Sequence, residues 1–145
     1  MKLDPQLVEA RLRLGRIQQQ RSNLSEARAE LEAVLGQPAA PALVRYLAVM
    51  FLVDVLEAEG HTDIAFERMR ALVTRFPECQ SAQLAMSRFY EARGDRAAAL
   101  RALEPMWKEQ SDRKCADPWW IYDLGQHWRV PSLILELRDA VKGVR

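Results

Sequence analysis

Gly60 and Gly94 stand 34 residues apart, and the residues around them recur at matching offsets. Five, nine and twelve residues after each glycine come Ala65, Met69 and Leu72 in one copy and Ala99, Leu103 and Met106 in the next. Twelve, eight and five residues before come Ala48, Leu52 and Val55, then Ala82, Met86 and Phe89. Placing Ser22 in the glycine slot adds a first copy with Ala10, Leu14, Ile17, Ala27, Leu31 and Val34. The interval from Ser22 to Gly60 is four residues longer than the next one. That surplus falls in Gly36-Gln37-Pro38-Ala39-Ala40-Pro41, a stretch whose prolines and glycine suit a loop. Self-similarity at such a period means that one supersecondary unit is used several times, each burying its apolar face on its neighbours.

Each unit reads as two helices. Leu7, Ala10, Leu14 and Ile17 recur at steps of three and four, which places them on one helix face. A second helix carries Ala27, Leu31, Val34 and Leu35. Between the helices stand Ser22-Asn23, Gly60-His61-Thr62 and Gly94-Asp95. A glycine there accepts the left-handed backbone that ends a helix, and Asn23, Thr62 and Asp95 are expected to cap the next one. No segment alternates with the two-residue period of a strand, so an all-α chain is expected.

A 34-residue period, a small residue at the helix turn and an alanine five residues later resemble the tetratricopeptide repeat. Leu14-Gly15, Tyr90 and Pro77 fit that pattern, whereas Arg11, Val49 and Gln83 stand where the family carries an aromatic residue. The resemblance implies antiparallel helical hairpins stacked as a right-handed α-solenoid, with repeats over about 8–41, 42–79 and 80–113. A capping pair is expected over 118–143, because Asp117-Pro118 and Pro131 each suit a helix start. Leu3-Asp4-Pro5 resembles the close of a preceding repeat, so the first helix is expected to expose an apolar face that such a repeat would cover.

Composition narrows the function classes. The 145 residues carry 21 basic and 20 acidic side chains, a formal net charge of +1. Binding to nucleic-acid phosphates favours a clear basic excess, so a nucleic-acid partner is not expected. The longest apolar stretch, 46–53, falls short of the roughly 20 residues that cross a bilayer, and no membrane insertion is expected. The start, Met1-Lys2-Leu3-Asp4-Pro5, does not read as a signal peptide; a soluble chain with the cytoplasm as default compartment is the expectation. Cys79 and Cys115 are too few and too far apart for a disulfide framework or a CxxC site, and are read as thiols packed as small apolar groups.

Nor is there a pattern that carries chemistry. His61 and His127 lack a second ligand at metal-binding spacing, and no phosphate-binding glycine loop or nucleophile elbow occurs. No enzyme activity, metal or cofactor is expected. In tetratricopeptide proteins the first helices line a concave surface that binds a peptide or helix, and the resemblance implies the same here. Its groove offsets fall on Glu9, Leu12, Arg16 and Gln19, on Leu47, Met50, Asp54 and Glu57, and on Ser81, Leu84, Arg88 and Glu91. Of these, Leu47, Met50 and Leu84 make an apolar floor. Arg16, Asp54 and Arg88 recur six residues before the turn slot as a charge ladder, read first as internal pairing. Trp119 and Tyr122 extend the line if the capping pair follows the same geometry. A protein or peptide partner is therefore expected. Pairing of two copies, or service as an appendage of a larger enzyme, are the alternatives.

Overall fold

A computed structural model of the chain describes residues 5–108, 117–119 and 122. Three turns set its architecture. Ser22, Gly60 and Gly94 are the described residues with positive φ, at 62°, 82° and 78°. At each, the following N–H reaches back across the helix end: Asn23 to the Gln18 carbonyl (2.9 Å), His61 to Leu56 (2.7 Å) and Asp95 to Tyr90 (3.0 Å). This closure satisfies carbonyls that a helix leaves unpaired at its end, and it requires a left-handed residue just past that end. Glycine adopts that conformation freely. Ser22 does so against a Cβ clash of about 1–2 kcal/mol, so the serine slot is equivalent in shape but not in cost.

The turns join α1 (Pro5–Gln20) to α2 (Leu24–Leu35), α3 (Ala42–Ala58) to α4 (Thr62–Arg75), and α5 (Gln80–Ala92) to α6 (Arg96–Lys108). Two helices thus fall in each expected repeat, and no strand occurs among the described residues. Of the capping expectations, Asp95 holds: its carboxylate accepts the Ala98 N–H at 2.9 Å. Asn23 does not cap, because its side-chain amide donates instead to Gln18 Oε1 at 2.8 Å. Thr62 does not either, since the helix already includes it and His61 takes the cap position without a side-chain bond.

Each helix packs on the next in order, and α1 also packs on α3. The recurring positions form the centre of the core. Ala27, Leu31 and Val34 of α2 are buried, as are Ala48, Leu52 and Val55 of α3, Ala65, Met69 and Leu72 of α4, and Ala82, Met86 and Phe89 of α5. Helix α3 is apolar on nearly every side and is buried on nearly every side, as an all-round apolar helix must be. Cys79 is buried as a thiol. No described helix is long and apolar enough to cross a membrane.

Helix α1 turns its recurring stripe outward. Leu7, Leu14 and Ile17 are 52%, 41% and 49% exposed, and Ala10 is exposed with them. The helix buries Val8, Leu12 and Gly15 on its opposite side. The cause is the close approach of α2: a Cβ at Gly15 would lie 2.9 Å from Leu31 Cγ, so only glycine lets the two helices meet on that side. Apart from Pro118, Trp119 and Tyr122, the expected capping pair over 118–143 lies outside the described residues, as does Cys115.

Candidate functional site

The side chains singled out from the sequence lie on α1, α3 and α5, of which α1 packs directly on α3. On α1, Arg16 sets its guanidinium 4.8 Å from the centre of the Phe51 ring of α3. It donates to Gln19 Oε1 at 2.8 Å and stands 3.9 Å from Asp54 Oδ2, while Gln19 Nε2 donates to the same carboxylate at 3.4 Å. Burial pushes the Asp54 carboxyl above its ordinary pKa, against the opposing pull of the Gln19 hydrogen bond and of the Arg16 and Arg88 charges. Arg88 does not close the ladder onto Asp54. It pairs with Glu57, one turn further along α3, at 3.2 Å. The ladder is therefore two separate ion pairs, each worth about 0–1 kcal/mol at such exposure.

The expected floor divides. Leu47 and Met50 are 4% and 8% exposed and belong to the core, whereas Leu84 is 41% exposed. Met50 still reaches an open cavity of about 460 Å³ between α3 and α5, with Val53, Leu84 and Ala85 as apolar lining. Asp54, Arg88 and Glu91 supply charge in the same lining, and Trp119 lies against it.

Trp119 and Tyr122 do not continue the line beyond α5. They turn back onto α3, with ring centres 5.5 and 5.2 Å from that of Phe51. Burial raises the Tyr122 pKa, partly offset by the Arg16 and Arg13 charges. Phe51 is fully buried and had no place among the groove offsets, yet it is the platform on which Arg16 and both rings converge.

What holds this segment is Asp117. Cys79 stands at the N-cap of helix α5 without a side-chain cap hydrogen bond. Asp117 supplies that cap from 36 residues away, accepting the Ser81 N–H at 2.6 Å and the Ser81 hydroxyl at 2.7 Å. The same carboxylate accepts the Trp119 N–H at 2.9 Å, which starts the helical turn at 118–119. Ser81 spends its one hydroxyl proton on the carboxylate, so the Tyr46 hydroxyl must donate to Ser81 Oγ across their 2.7 Å separation. Burial raises the Tyr46 pKa and keeps that phenol a donor. A carboxylate at a helix N-terminus is also favoured by the helix dipole. In the sequence, Asp117 before Pro118 signals only the start of its own helix; nothing local points to α5.

Among the described residues no cluster of three or more His, Cys, Asp or Glu side chains is arranged to hold a metal ion. Comparison of the chain with protein-family models, curated proteins and solved structures finds no match.

Proposed function

We propose that the chain is a non-catalytic scaffold of tetratricopeptide-like architecture, a short right-handed α-solenoid whose concave face is made by α1, α3 and α5 and binds a peptide or helix of a partner protein. The observation that carries this reading is the 460 Å³ cavity between α3 and α5, open at the surface and lined by Met50, Leu84 and Ala85 with Asp54, Arg88 and Glu91 among them. Apolar area grips a peptide, and fixed charges beside it set the peptide's direction. Leu84 and the 66% exposed Arg88 are the groups a partner meets first.

The test is a selection of displayed random peptides on the purified chain, followed by titration of the tightest binder. Leu84→Ala and Arg88→Glu are each expected to weaken it by about tenfold, the scale of an interface anchor. Arg75→Glu, an exposed change on α4, should leave it unchanged. Equal affinity for all three variants and wild type would remove this face as the binding site.

A second reading, pairing of two copies, is favoured by the exposed stripe Leu7, Leu14 and Ile17 on α1. Sedimentation equilibrium separates it from the first. A dimer that Leu14→Asp dissolves supports pairing, and a monomer across the accessible concentration range removes it.

A further inference from the structure

A second depression shares no lining residue with the cavity between α3 and α5. It measures about 230 Å³ and is bounded by the end of α2, the first half of α3 and the stretch 68–75 of α4. Its lining divides into two chemistries. Leu35, Val49, Leu72 and Phe76 supply an apolar floor, and Arg45, Arg68 and Arg75 join them with no acid among the lining residues. We infer that this depression binds an acidic segment of a partner protein, one that inserts an apolar side chain between flanking carboxylates. The inference goes beyond the concave-face reading and does not depend on it.

These three arginines differ from others on the molecule. Arg11, Arg28, Arg88 and Arg93 each meet a carboxylate from another part of the chain at 2.5–3.2 Å. Arg45, Arg68 and Arg75 have no ion-pair partner among the described residues. The repeat does not ask for arginine there either, since one 34-residue period further on Arg45 and Arg68 give way to Cys79 and Ala102. Arg45 moreover stands near the start of α3, where the helix dipole disfavours a cation. It is fixed there by donating from Nη1 to the Gln37 carbonyl at 2.8 Å. Gln37 belongs to the loop that lengthens the first interval, so the inserted residues help to place this charge. That bond uses one of the five N–H donors of a guanidinium, and the rest remain for a ligand. Arg75 lies 5.7 Å from the centre of the Phe76 ring, which sets a second charge beside the apolar floor.

Size and charge together select the ligand. Sites that take a whole small molecule enclose about 300–1,000 Å³, so a depression of about 230 Å³ suits one inserted side chain. Leu35, Val49 and Phe76 are half-buried and still offer that side chain apolar contact. A carboxylate meets a guanidinium through two parallel hydrogen bonds, so acids on either side of the inserted residue match the arginines. A nucleic-acid strand shares the negative charge but brings no side chain for the apolar floor. The chain's net charge of +1 gives such a strand little further attraction.

The experiment titrates fluorescent peptides into the full chain at about 150 mM salt, where distant charges are screened. Each peptide carries a central leucine, phenylalanine or tryptophan with a pair of glutamates on either side. At least one should saturate with a Kd below about 1 mM. Arg68→Glu, an exposed change, should weaken it about tenfold, and Arg68→Lys should weaken it less, because the ammonium keeps the charge but not the fork. Alanine at the peptide's centre, or glutamines in place of its glutamates, should each cost about tenfold as well. Arg88→Glu, at the other cavity, should change nothing. If Arg68→Glu loses its helical circular dichroism, Arg68→Lys and the altered peptides decide. Failure of every peptide to saturate overturns the inference, as does equal binding of the alanine-centred or glutamine-flanked forms. So does a single-stranded oligonucleotide of equal charge that binds more tightly and depends on Arg68. A loss with Arg88→Glu and none with Arg68→Glu would put the peptide on the face of α3 and α5, so that this inference falls and the scaffold reading stands. A loss with Arg68→Glu, while display-selected peptides ignore Leu84 and Arg88, would leave this inference standing and the concave-face reading fallen.

Discussion

Helices α1 and α3 hold the same place in successive copies, yet they meet opposite environments. Leu14 and Ile17 of α1 correspond to Leu52 and Val55 of α3. The first pair is 41% and 49% exposed; the second is 1% and 0% exposed. The side chains are alike, so the difference comes from what lies alongside. Among the described helices, α3 has α2 and α4 packed on it and α1 across it, whereas α1 packs mainly on α2 and α3. In a chain built of repeats, the pattern within a copy specifies which side chains are able to pack, and the neighbouring copy decides whether they do. Helix α6, at the other end of the order, repeats the lesson more weakly: Leu103 and Met106 are half-buried where Met69 and Leu72 of α4 are buried.

The largest effect that would break this comparison is a pair of truncations. Leu52→Ala should cost about 2–5 kcal/mol, the range for removing a leucine side chain from a packed core. Leu14→Ala, the same change at the equivalent site, should stay within about 0.5 kcal/mol, as exposed substitutions do. Urea unfolding measures both, and equal losses would mean that α1's outer stripe is covered in solution.

The turns sharpen the comparison on a smaller scale. Gly60→Ala places a Cβ at φ 82° and should destabilise by about 1–2 kcal/mol. Ser22→Gly relieves the same strain in the first copy and should stabilise by up to about 1 kcal/mol, less what the added glycine freedom costs in the unfolded chain. Thermal melts of the two variants should move in opposite directions. A loss at both positions would mean that the serine turn is held by something other than its backbone shape.

The smallest effect concerns Asp54, where α1 and α3 touch. Its folded pKa lies above the ordinary 3.8 because of burial. A carboxyl of that kind favours the fold below its unfolded pKa and loses that contribution as pH rises through the folded value. Asp54→Asn should therefore flatten the fall in stability over that window, raising the melting midpoint slightly at neutral pH and not at all in strong acid. The side chain is 40% exposed, so solvent screening keeps the change small. A variant less stable than wild type at neutral pH would show that the Arg16 pairing outweighs the burial.

Much of the fold was legible in the sequence because its determinants are local. The glycine slot, the alanine five residues on and the apolar steps of three and four each depend on a few adjacent residues, and Ser22, Gly60 and Gly94 share one backbone geometry. The buried state of Leu47 and Met50 follows from the apolarity of α3 itself. What escaped depends on distance along the chain. Which face of α1 is covered turns on the approach of α2 at Gly15. Likewise, the cap of α5 comes from Asp117, 36 residues beyond Ser81. Arg16 and Asp54 come together as their register suggested, but Arg88 selects Glu57, a choice between two acids one turn apart that spacing alone does not make. Phe51 escaped because a buried ring on a buried helix reads as core until the rings that meet it are known.

The central claim is that a partner segment lies on the face shared by α1, α3 and α5. Nuclear magnetic resonance of the labelled chain, titrated with the tightest display-selected peptide, tests it most directly. The expected result is that the amide signals of Asp54, Ser81, Leu84 and Arg88 move together and saturate at one stoichiometric equivalent, while those of Arg70 and Arg101, which line a separate depression formed by α4, α5 and α6, stay still. Shifts confined to the α1 stripe at Leu7, Leu14 and Ile17, or to the α4 and α6 side, with the α3 and α5 signals unmoved, would contradict it.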